Sequence, residues 1–328
     1  MNLSLATFGV RNMRIGIVGH GVVGSALSRF FSSHEAHEVV IYDKFNPAYR
    51  DSKQRRFVAN ADLVFVCVPT PLGSDGMSCD TSAVEECIDW IRSPVCIRST
   101  VVPGTVDRLT RGSSRLIGFS PEYLGEQPMH PWREEADCGF LIVGGSPELT
   151  ELVISAYSST QNFGIQYYRT TARTAELCKY MENCFLAAKV AFVNQFHEIA
   201  IAFDVDFNDL RKLWLVDPRI GLSHTLVSKR RGFRGRCLPK DLAAIIAAME
   251  TRGGAPLLEA IYLYNQTVCL QSDRLVEDLA TRSGDGICVG QMPGQQCTVP
   301  ATTLPVLRPD SDVVRKNCVS GRCELRLR

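Results

Sequence analysis

The residues from Met13 to Asp43 constrain the fold more than any other part of the chain. A β-type apolar run begins at Met13 and ends in the glycine-rich turn Gly19-x-Gly21-x-x-Gly24, which is followed by a helical stretch and a second strand. Glycines at this spacing allow a tight turn and the close approach of a pyrophosphate, while the helix N-terminus supplies N–H donors. This order of elements predicts a dinucleotide-binding unit.

Asp43 closes the second strand, nineteen residues after Gly24. A carboxylate here accepts hydrogen bonds from both ribose hydroxyls of an adenosine and repels a 2′-phosphate. The sequence therefore predicts NAD rather than NADP as the cofactor. Lys44 and the pair Arg55-Arg56 are nearby cations that favour the opposite choice. The alternative to a cofactor site is a glycine-rich turn without a ligand.

Further strand patterns follow, with helical spacing between two of them. The strands are expected at residues 63–68, 95–100, 116–119 and 140–143, and the helix at 82–91. Strands that alternate with helices are typical of an α/β fold with a doubly wound, mostly parallel sheet.

The chain changes character near residue 171. Residues 172–203 contain neither proline nor glycine, which predicts one long helix whose apolar middle packs against other helices or a second subunit. Shorter helices are expected at 207–216, 238–251 and 256–270, and an irregular segment after residue 272. The predicted domains are therefore a dinucleotide-binding domain over 13–168, a helical central domain over 169–272 and an irregular tail over 273–328.

Composition excludes several classes of function. The 328 residues carry 36 Lys+Arg and 35 Asp+Glu, so there is no net field to attract nucleic acid or anionic lipid. The uninterrupted apolar stretches are much shorter than the ~20 residues of a membrane span, and no basic segment precedes the first of them as in a secretory signal. The thirteen cysteines are scattered, which predicts no metal site and a reducing, cytoplasmic compartment.

Lys179 and Asn183 form the first group of candidate catalytic residues. Their spacing of four places them on one face of the predicted long helix. A lysine and an amide on an apolar helix are costly unless they are satisfied. They lie either at an exposed edge or where a cation and an amide converge on a substrate oxygen.

Cys237 belongs to the segment Gly232-Phe-Arg-Gly-Arg-Cys-Leu-Pro-Lys-Asp241. Basic neighbours are expected to lower the pKa of its thiol and to make a thiolate nucleophile available. Asp241, four residues on, could orient a water molecule or accept a proton. The alternative is a buried cysteine without a chemical role.

Glu122 and Glu126 follow a predicted strand in the segment Ser120-Pro-Glu-Tyr-Leu-Gly-Glu126. Sites in α/β proteins lie at the carboxyl ends of strands, so these acids are candidates for a general base and a cofactor contact. The alternative is the solvated start of a helix, where the helix dipole favours acids.

Taken together, the motifs resemble the UDP-glucose/GDP-mannose dehydrogenase family. The resemblance covers about residues 13–268 and rests on the glycine-rich turn, Val68-Pro-Thr-Pro71, Ser99-Thr-Val-Val-Pro-Gly104, the Glu122 segment, Ala175-Glu-Leu-x-Lys-Tyr-x-x-Asn183 and Cys237-Leu-Pro-Lys-Asp241. It implies a Rossmann-like domain with NAD, a long central helix at the core of a homodimer, and a four-electron oxidation of a nucleotide sugar.

The resemblance also implies roles for individual residues. The catalytic residues would be Cys237 as the covalent nucleophile, with Lys179, Asn183, Asp241, Glu122 and Thr100. The NAD contacts would come from Gly19, Gly21, Val22, Val23, Gly24, Asp43, Pro69, Thr70, Thr100 and Glu126. The substrate contacts would come from Glu122, Tyr123, Leu124, Lys179, Asn183, Arg219, Gly232, Phe233 and Gly235.

Two features depart from the family pattern. Arg234 and Arg236 stand before the cysteine where the family has small residues, and the chain after residue 272 does not resemble the family's usual nucleotide-binding third domain. Two alternatives therefore remain beside a nucleotide-sugar 6-dehydrogenase. One is a single-step hydroxyacid dehydrogenase, which needs no Cys237 segment; the other is a non-catalytic protein that binds NAD.

Overall fold

The strands form a seven-stranded sheet. The computed structural model describes residues 12–33, 37–112, 114–125, 130–160 and 164–284, with side chains to residue 276. Its strands are β1 (Met13–Val18), β2 (His37–Tyr42), β3 (Leu63–Val66), β4 (Val95–Ile97), β5 (Ile117–Phe119), β6 (Phe140–Gly144) and β7 (Gln166–Thr170). Their order is β2-β1-β3-β4-β5-β6-β7, and every neighbouring pair is parallel except β5 and β6. The predicted mostly parallel sheet is confirmed.

Helices cover both faces of this sheet. They are α1 (Val22–Ser32), α2 (Ser52–Ala59), α3 (Ser82–Trp90), α4 (Thr105–Thr110) and α5 (Pro147–Ser158). Val64 and Val66 of β3 join a core with residues of α2, α3 and α4, whereas Leu63 and Phe65 join a core with α1 and α5. Because alternate side chains of one strand are buried on opposite faces, the sheet is doubly wound.

The helical region follows the last strand. It contains α6 (Ala172–Ala202), α7 (Phe207–Trp214), α8 (Leu238–Met249) and α9 (Pro256–Gly284). A third core joins α6, α8 and the side chain of Phe233. Within the described residues, α6 is the helix whose length and composition would allow it to cross a membrane. It carries Glu176, Lys179 and Asn183 in buried positions among protein partners, as a core helix does.

Several boundaries differ from the predictions. Helix α9 continues to Gly284, so residues 273–284 are helical and the predicted boundary at 272 is wrong; Leu275 and Val276 continue the apolar pattern there. Residues 285–328, with the remainder of the predicted tail, lie outside the described residues. Strand β7 crosses the boundary placed after residue 168, because it pairs with β6 as far as Thr170. Helices α2, α4 and α5 and strand β7 were not predicted, since their apolar patterns are short or interrupted.

Candidate active site

The glycine-rich turn after β1 leaves room for a ligand at the start of α1. Gly19 has φ +87°, and a Cβ there would lie 2.6 Å from the carbonyl oxygen of Cys67, so only glycine fits. A Cβ on Gly21, by contrast, would meet nothing within 4 Å. Gly21 is the N-cap of α1 and provides no side-chain cap, and the first turn contains no acidic residue. The N–H groups of Val22 and Val23 therefore begin an uncapped helix, which suits a phosphate.

Asp43 lies beside this turn, at the end of β2. Its Oδ2 accepts the N–H of His20 at 2.8 Å, and its Oδ1 accepts the N–H groups of Phe45 and Asn46 at 2.8 and 3.1 Å. Burial acts to raise the pKa of Asp43, but these N–H donors outweigh it and hold the pKa below its usual value. The carboxylate is thus fixed in its charged form next to the phosphate-binding turn.

Lys44 and Arg55, two of the three cations that favour NADP in the sequence, have protein partners. The Lys44 Nζ lies 2.7 Å from a Glu86 carboxylate oxygen, and the Arg55 guanidinium stacks 4.7 Å from the centre of the Trp90 ring. Neither is free for a 2′-phosphate, which supports NAD over NADP at this position.

Replacing Asp43 by alanine is expected to weaken NAD binding about tenfold and to reduce discrimination against NADP. The variant loses a charged acceptor for the ribose hydroxyls, and the net loss of one hydrogen bond to a charged group, about 1.5 kcal/mol at the lower end, corresponds to about tenfold. Calorimetric titration with both cofactors measures the change. Lys44→Ala is the control and should bind NAD as the parent does. Unchanged affinity of Asp43→Ala for both cofactors would show that another residue contacts the ribose.

The next loops meet at the same edge of the sheet. Because β1 to β5 are parallel, the segments after their carboxyl ends lie together. Pro69 and Thr70 follow β3, and Thr100 follows β4; the Thr70 hydroxyl donates to the Thr100 carbonyl oxygen at 2.7 Å. Pro69 is exposed and Thr70 is buried. These residues form the wall next to the glycine-rich turn, where a cofactor's nicotinamide half would extend.

Glu122, Tyr123 and Leu124 follow β5 at this edge. The Glu122 carboxylate accepts the N–H of Leu124. Burial raises the pKa of Glu122, and the charge of Lys179 opposes that shift. A raised pKa favours the protonated carboxyl, so Glu122 holds a proton more readily than an exposed glutamate does. Glu126, the other acid predicted in this segment, lies outside the described residues.

One face of α6 carries polar groups into the site. Lys179 and Asn183 are both buried, and the Lys179 Nζ lies 4.9 Å from the centre of the Tyr123 ring and 3.7 Å from a Glu182 carboxylate oxygen. On the same face, one turn earlier, Glu176 accepts the N–H groups of Gly104 and Val106 at 2.6 and 2.9 Å. Helix α6 is therefore attached to the loop after β4, and the exposed-edge alternative for Lys179 and Asn183 is wrong.

Cys237 stands at the start of α8, as its N-cap residue, and is exposed. Asp241, one turn into α8, is 1% exposed, and its Oδ2 accepts a hydrogen bond from the Asn183 amide at 2.5 Å. The Lys240 Nζ lies 2.5 Å from Oδ1 of the same carboxylate. The thiol segment of α8 thus contacts the polar face of α6.

The pKa of the Cys237 thiol is raised rather than lowered, so that prediction is wrong. Although the residue is exposed overall, neighbouring protein atoms partly shield its sulfur from water, and this desolvation is the main cause. The charge of Asp241 raises the pKa further, while Lys179 and Lys240 lower it. The Arg234 guanidinium, three residues before the thiol in sequence, instead pairs with Asp273 at 3.0 Å. The thiol needs a base when it reacts.

The structure brings together most of the predicted catalytic residues. The charges of Asp241, Lys179 and Glu122 all act on the Cys237 thiol, and Asn183 contacts Asp241. Arg219 is not part of this group in the chain: its side chain is 87% exposed and pairs with Asp217. Gly232, Phe233 and Gly235 lie on the loop that leads to Cys237. Within the described part of the chain, no cluster of His, Cys, Asp or Glu could hold a metal ion.

Four residues that were not predicted from the sequence support these groups from a distance. Arg98 and Glu135 form a buried pair beside the Glu122 segment, and the amides of Asn194 and Asn265 bind the loop before Cys237. The sequence shows each of them only as a single charged or amide residue. Their partners lie far away in sequence, so their contacts could not be predicted.

Comparison with known proteins identifies the family. The sequence model of the NAD binding domain of the UDP-glucose/GDP-mannose dehydrogenase family matches residues 45–126, and that of the family's central domain matches residues 173–267. The chain is also 30% identical over 301 residues to the putative UDP-glucose 6-dehydrogenase YtcA of Bacillus subtilis, covering 78% of this chain and 68% of that protein. The chain belongs to the UDP-glucose/GDP-mannose dehydrogenase family. It therefore carries the NAD-binding and central domains of a family of oxidoreductases that act on CH–OH groups.

Two further relatives support the family and its fold. A UDP-glucose 6-dehydrogenase of Rickettsia conorii is 28% identical over 255 residues, which cover 73% of this chain and 55% of that protein. The structure of a UDP-glucose dehydrogenase from Pyrobaculum islandicum superposes with a TM-score of 0.69 at 25% identity, over 85% of this chain and 73% of that one. The chain thus spans about half to two thirds of the length of the curated relatives.

Proposed function

We propose that the chain oxidises the C6 alcohol of a nucleotide sugar to the carboxylate in two hydride transfers. NAD would be the hydride acceptor in both steps. Three features of the chain fit NAD: the open turn at Gly21, the uncapped start of α1 and the charged Asp43. The overall balance is one alcohol, two NAD⁺ and one water giving one carboxylate, two NADH and three protons. The convergence of Asp241, Lys179 and Glu122 on the Cys237 thiol carries this proposal.

Cys237 links the two oxidations. Its sulfur adds to the C6 aldehyde to form a thiohemiacetal, loss of a second hydride leaves a thioester, and water then releases the acid and regenerates the thiol. Because the pKa of Cys237 lies above its usual value, the thiol gives up its proton as the sulfur attacks. Asp241, whose charge acts on the thiol, is the acceptor in this proposal.

The polar face of α6 stabilises the oxygen at C6. The Lys179 ammonium and the Asn183 amide are held on one buried face by Tyr123 and Asp241, so they provide fixed donors for an oxyanion. Glu122, with its raised pKa, exchanges the proton of the attacking water. Thr100 lies at the end of β4, where it orients that water or the nicotinamide side. The sugar is surrounded by Glu122, Tyr123 and Leu124 and by the loop of Gly232, Phe233 and Gly235. Arg219 reaches a substrate that is bound in the partner subunit.

A substrate screen tests the proposal. The purified protein is incubated with NAD and either UDP-glucose, UDP-N-acetylhexosamines or GDP-mannose, and NADH and the product acid are followed together. The proposal expects both products with at least one of these sugars. NADH formation with a hydroxyacid but with none of the nucleotide sugars would support the single-step alternative, and NAD binding without any turnover would support a non-catalytic protein.

We further propose that the protein is cytoplasmic and that two copies of it associate as a homodimer through α6. Met181, Phe185 and Phe192 are 75%, 65% and 50% exposed, and with Phe196 they form one stripe along α6. Exposed aromatic residues at helical spacing are costly in water and suit a second copy of the same helix.

Residues 12–280, where described, fall into one compact unit, so the division into two domains stays a prediction.

Phe192→Glu is expected to convert this dimer to a monomer at micromolar concentration. A carboxylate in the centre of an apolar interface costs several kcal/mol unless it is paired. Sedimentation velocity measures the change. Leu263→Glu, which alters a 61% exposed leucine on α9, is the matched control and should stay dimeric. A Phe192→Glu protein that remains a dimer would place the interface elsewhere.

A further inference from the structure

The loop that leads to Cys237 lies against one face of α9. Asn265, Cys269, Ser272 and Asp273 stand at spacings of four, seven and eight, so they share this face. Each of them contacts the loop over residues 229–234. Nothing in the proposed chemistry uses these four side chains.

The contacts bind the loop's backbone at several consecutive residues. The Asn265 amide oxygen accepts the Phe233 N–H at 2.7 Å, and its Nδ2 donates to the Phe233 carbonyl at 3.0 Å. The Ser272 hydroxyl accepts the Arg231 N–H at 3.2 Å. From the other side, Asn194 of α6 accepts the Gly232 N–H at 3.2 Å. Asn194, Asn265 and Ser272 are all buried, so solvent does not replace these bonds easily.

The loop has little freedom between these contacts. Gly232 has φ +80°, and a Cβ there would lie 2.7 Å from both the Asn265 amide oxygen and the Cys269 sulfur. The Phe233 side chain is 4% exposed within the α6–α8 core. The Arg234 guanidinium donates to Asp273 at 3.0 Å and to the Cys269 carbonyl at 3.1 Å. Three residues after Arg234 the chain reaches Cys237.

We propose that Asn265 is a positioning residue for the reaction. By binding both backbone groups of Phe233, it fixes the loop and so sets where the Cys237 thiol stands relative to Asp241 and Lys179. Ser272 and Asp273 bind Arg231 and Arg234 of the same loop and so fix its position on α9. The assignment of a catalytic effect rests on the proposed function, whereas the order of the loop does not.

Amide hydrogen exchange tests the loop without turnover. In Asn265→Ala, the Phe233 N–H and its Gly232 neighbour are expected to exchange about tenfold faster, because a buried hydrogen bond is lost. Gln266→Ala, an exposed neighbour on α9, is the matched control and should exchange as the parent does. Unchanged exchange at residues 232–237 in Asn265→Ala would overturn the proposal.

Kinetics separate positioning from a structural role. With the substrate found in the screen, Asn265→Ala should release acid about tenfold more slowly while its first NADH forms within about twofold of the parent rate. Asn265→Asp keeps the acceptor for the Phe233 N–H and should restore part of the acid rate. Equal loss of the first NADH and of acid, in step with a lower Tm, would show a purely structural role.

The proposal can still be tested if Asn265→Ala does not fold or if the parent protein shows no turnover. If Asn265→Ala does not fold, Ser272→Ala removes the acceptor for the Arg231 N–H and the donor to the Lys229 carbonyl, and the same measurements apply to it. Faster loop exchange with slower acid release supports the proposal, and parent-like values contradict it. If the parent forms no acid with any sugar, the proposed function fails, but the exchange result still decides whether Asn265 holds the loop.

Discussion

Cys237→Ser is expected to stop the steady release of acid, by about a hundredfold or more in kcat. A serine hydroxyl adds less readily to the aldehyde than a thiol does, and an oxygen ester at this position would hydrolyse more slowly than a thioester. The first hydride transfer does not need the sulfur, so some NADH should still form. Following NADH and acid separately measures both effects.

A second cysteine provides the control for this experiment. Cys87→Ala changes a buried thiol of α3 in the core of the sheet, away from the thiol site. It should keep the parent rate of acid release at a temperature where the protein is folded. Acid production near the parent rate in Cys237→Ser would contradict a covalent role for the sulfur.

The second large effect is expected at the buried pair of Arg98 and Glu135. Their side chains are 3% and 5% exposed, with the Arg98 Nη2 2.9 Å from the Glu135 carboxylate. The Tyr157 hydroxyl also donates to Glu135, at 2.5 Å, and the Arg98 Nη1 donates to the Ser120 hydroxyl at 2.9 Å. The pair therefore holds the segment that carries Glu122 against the sheet.

Glu135→Gln should lower the free energy of unfolding by about 3–5 kcal/mol, because it leaves the Arg98 charge buried without its counter-charge. Urea denaturation measures the change. The double variant Arg98→Met/Glu135→Leu removes both charges and should recover most of the loss.

An exposed pair of the same type is the matched control. Arg169 and Glu151 form an ion pair with side chains that are 54% and 47% exposed. Glu151→Gln should change the free energy of unfolding by about 0.5 kcal/mol or less, because solvent screens this pair. If Glu135→Gln costs no more than Glu151→Gln, the buried pair does not have the stabilising role assigned to it.

The parts of the fold that depend on local sequence were predictable. Gly19 is required by its positive φ and Gly24 by the close approach of the Gly19 carbonyl, whereas Gly21 leaves open space beside the turn. The absence of proline and glycine over 172–203 predicted α6 to within one residue. The end of α9 was not predicted, because its last three turns are rich in charged residues and resemble a solvated segment.

The parts of the site that depend on distant contacts were not predictable. Arg234 stands three residues before Cys237, which suggested a lower thiol pKa, but Asp273, thirty-nine residues later, turns its charge away. Asn194 and Asn265 show no motif in the sequence and acquire their role only where α6 and α9 meet the loop. Lys179, Asn183 and Asp241 were singled out by their spacing and given roles by the family resemblance, whereas their contacts required the fold.

The ratio of NADH to product acid tests the central claim most directly. We expect two NADH for each nucleotide-sugar carboxylate formed, measured by absorbance and by mass spectrometry of the product in one reaction. One NADH for each oxidised substrate, with an aldehyde or ketone as the product, would contradict the four-electron oxidation and the covalent role of Cys237.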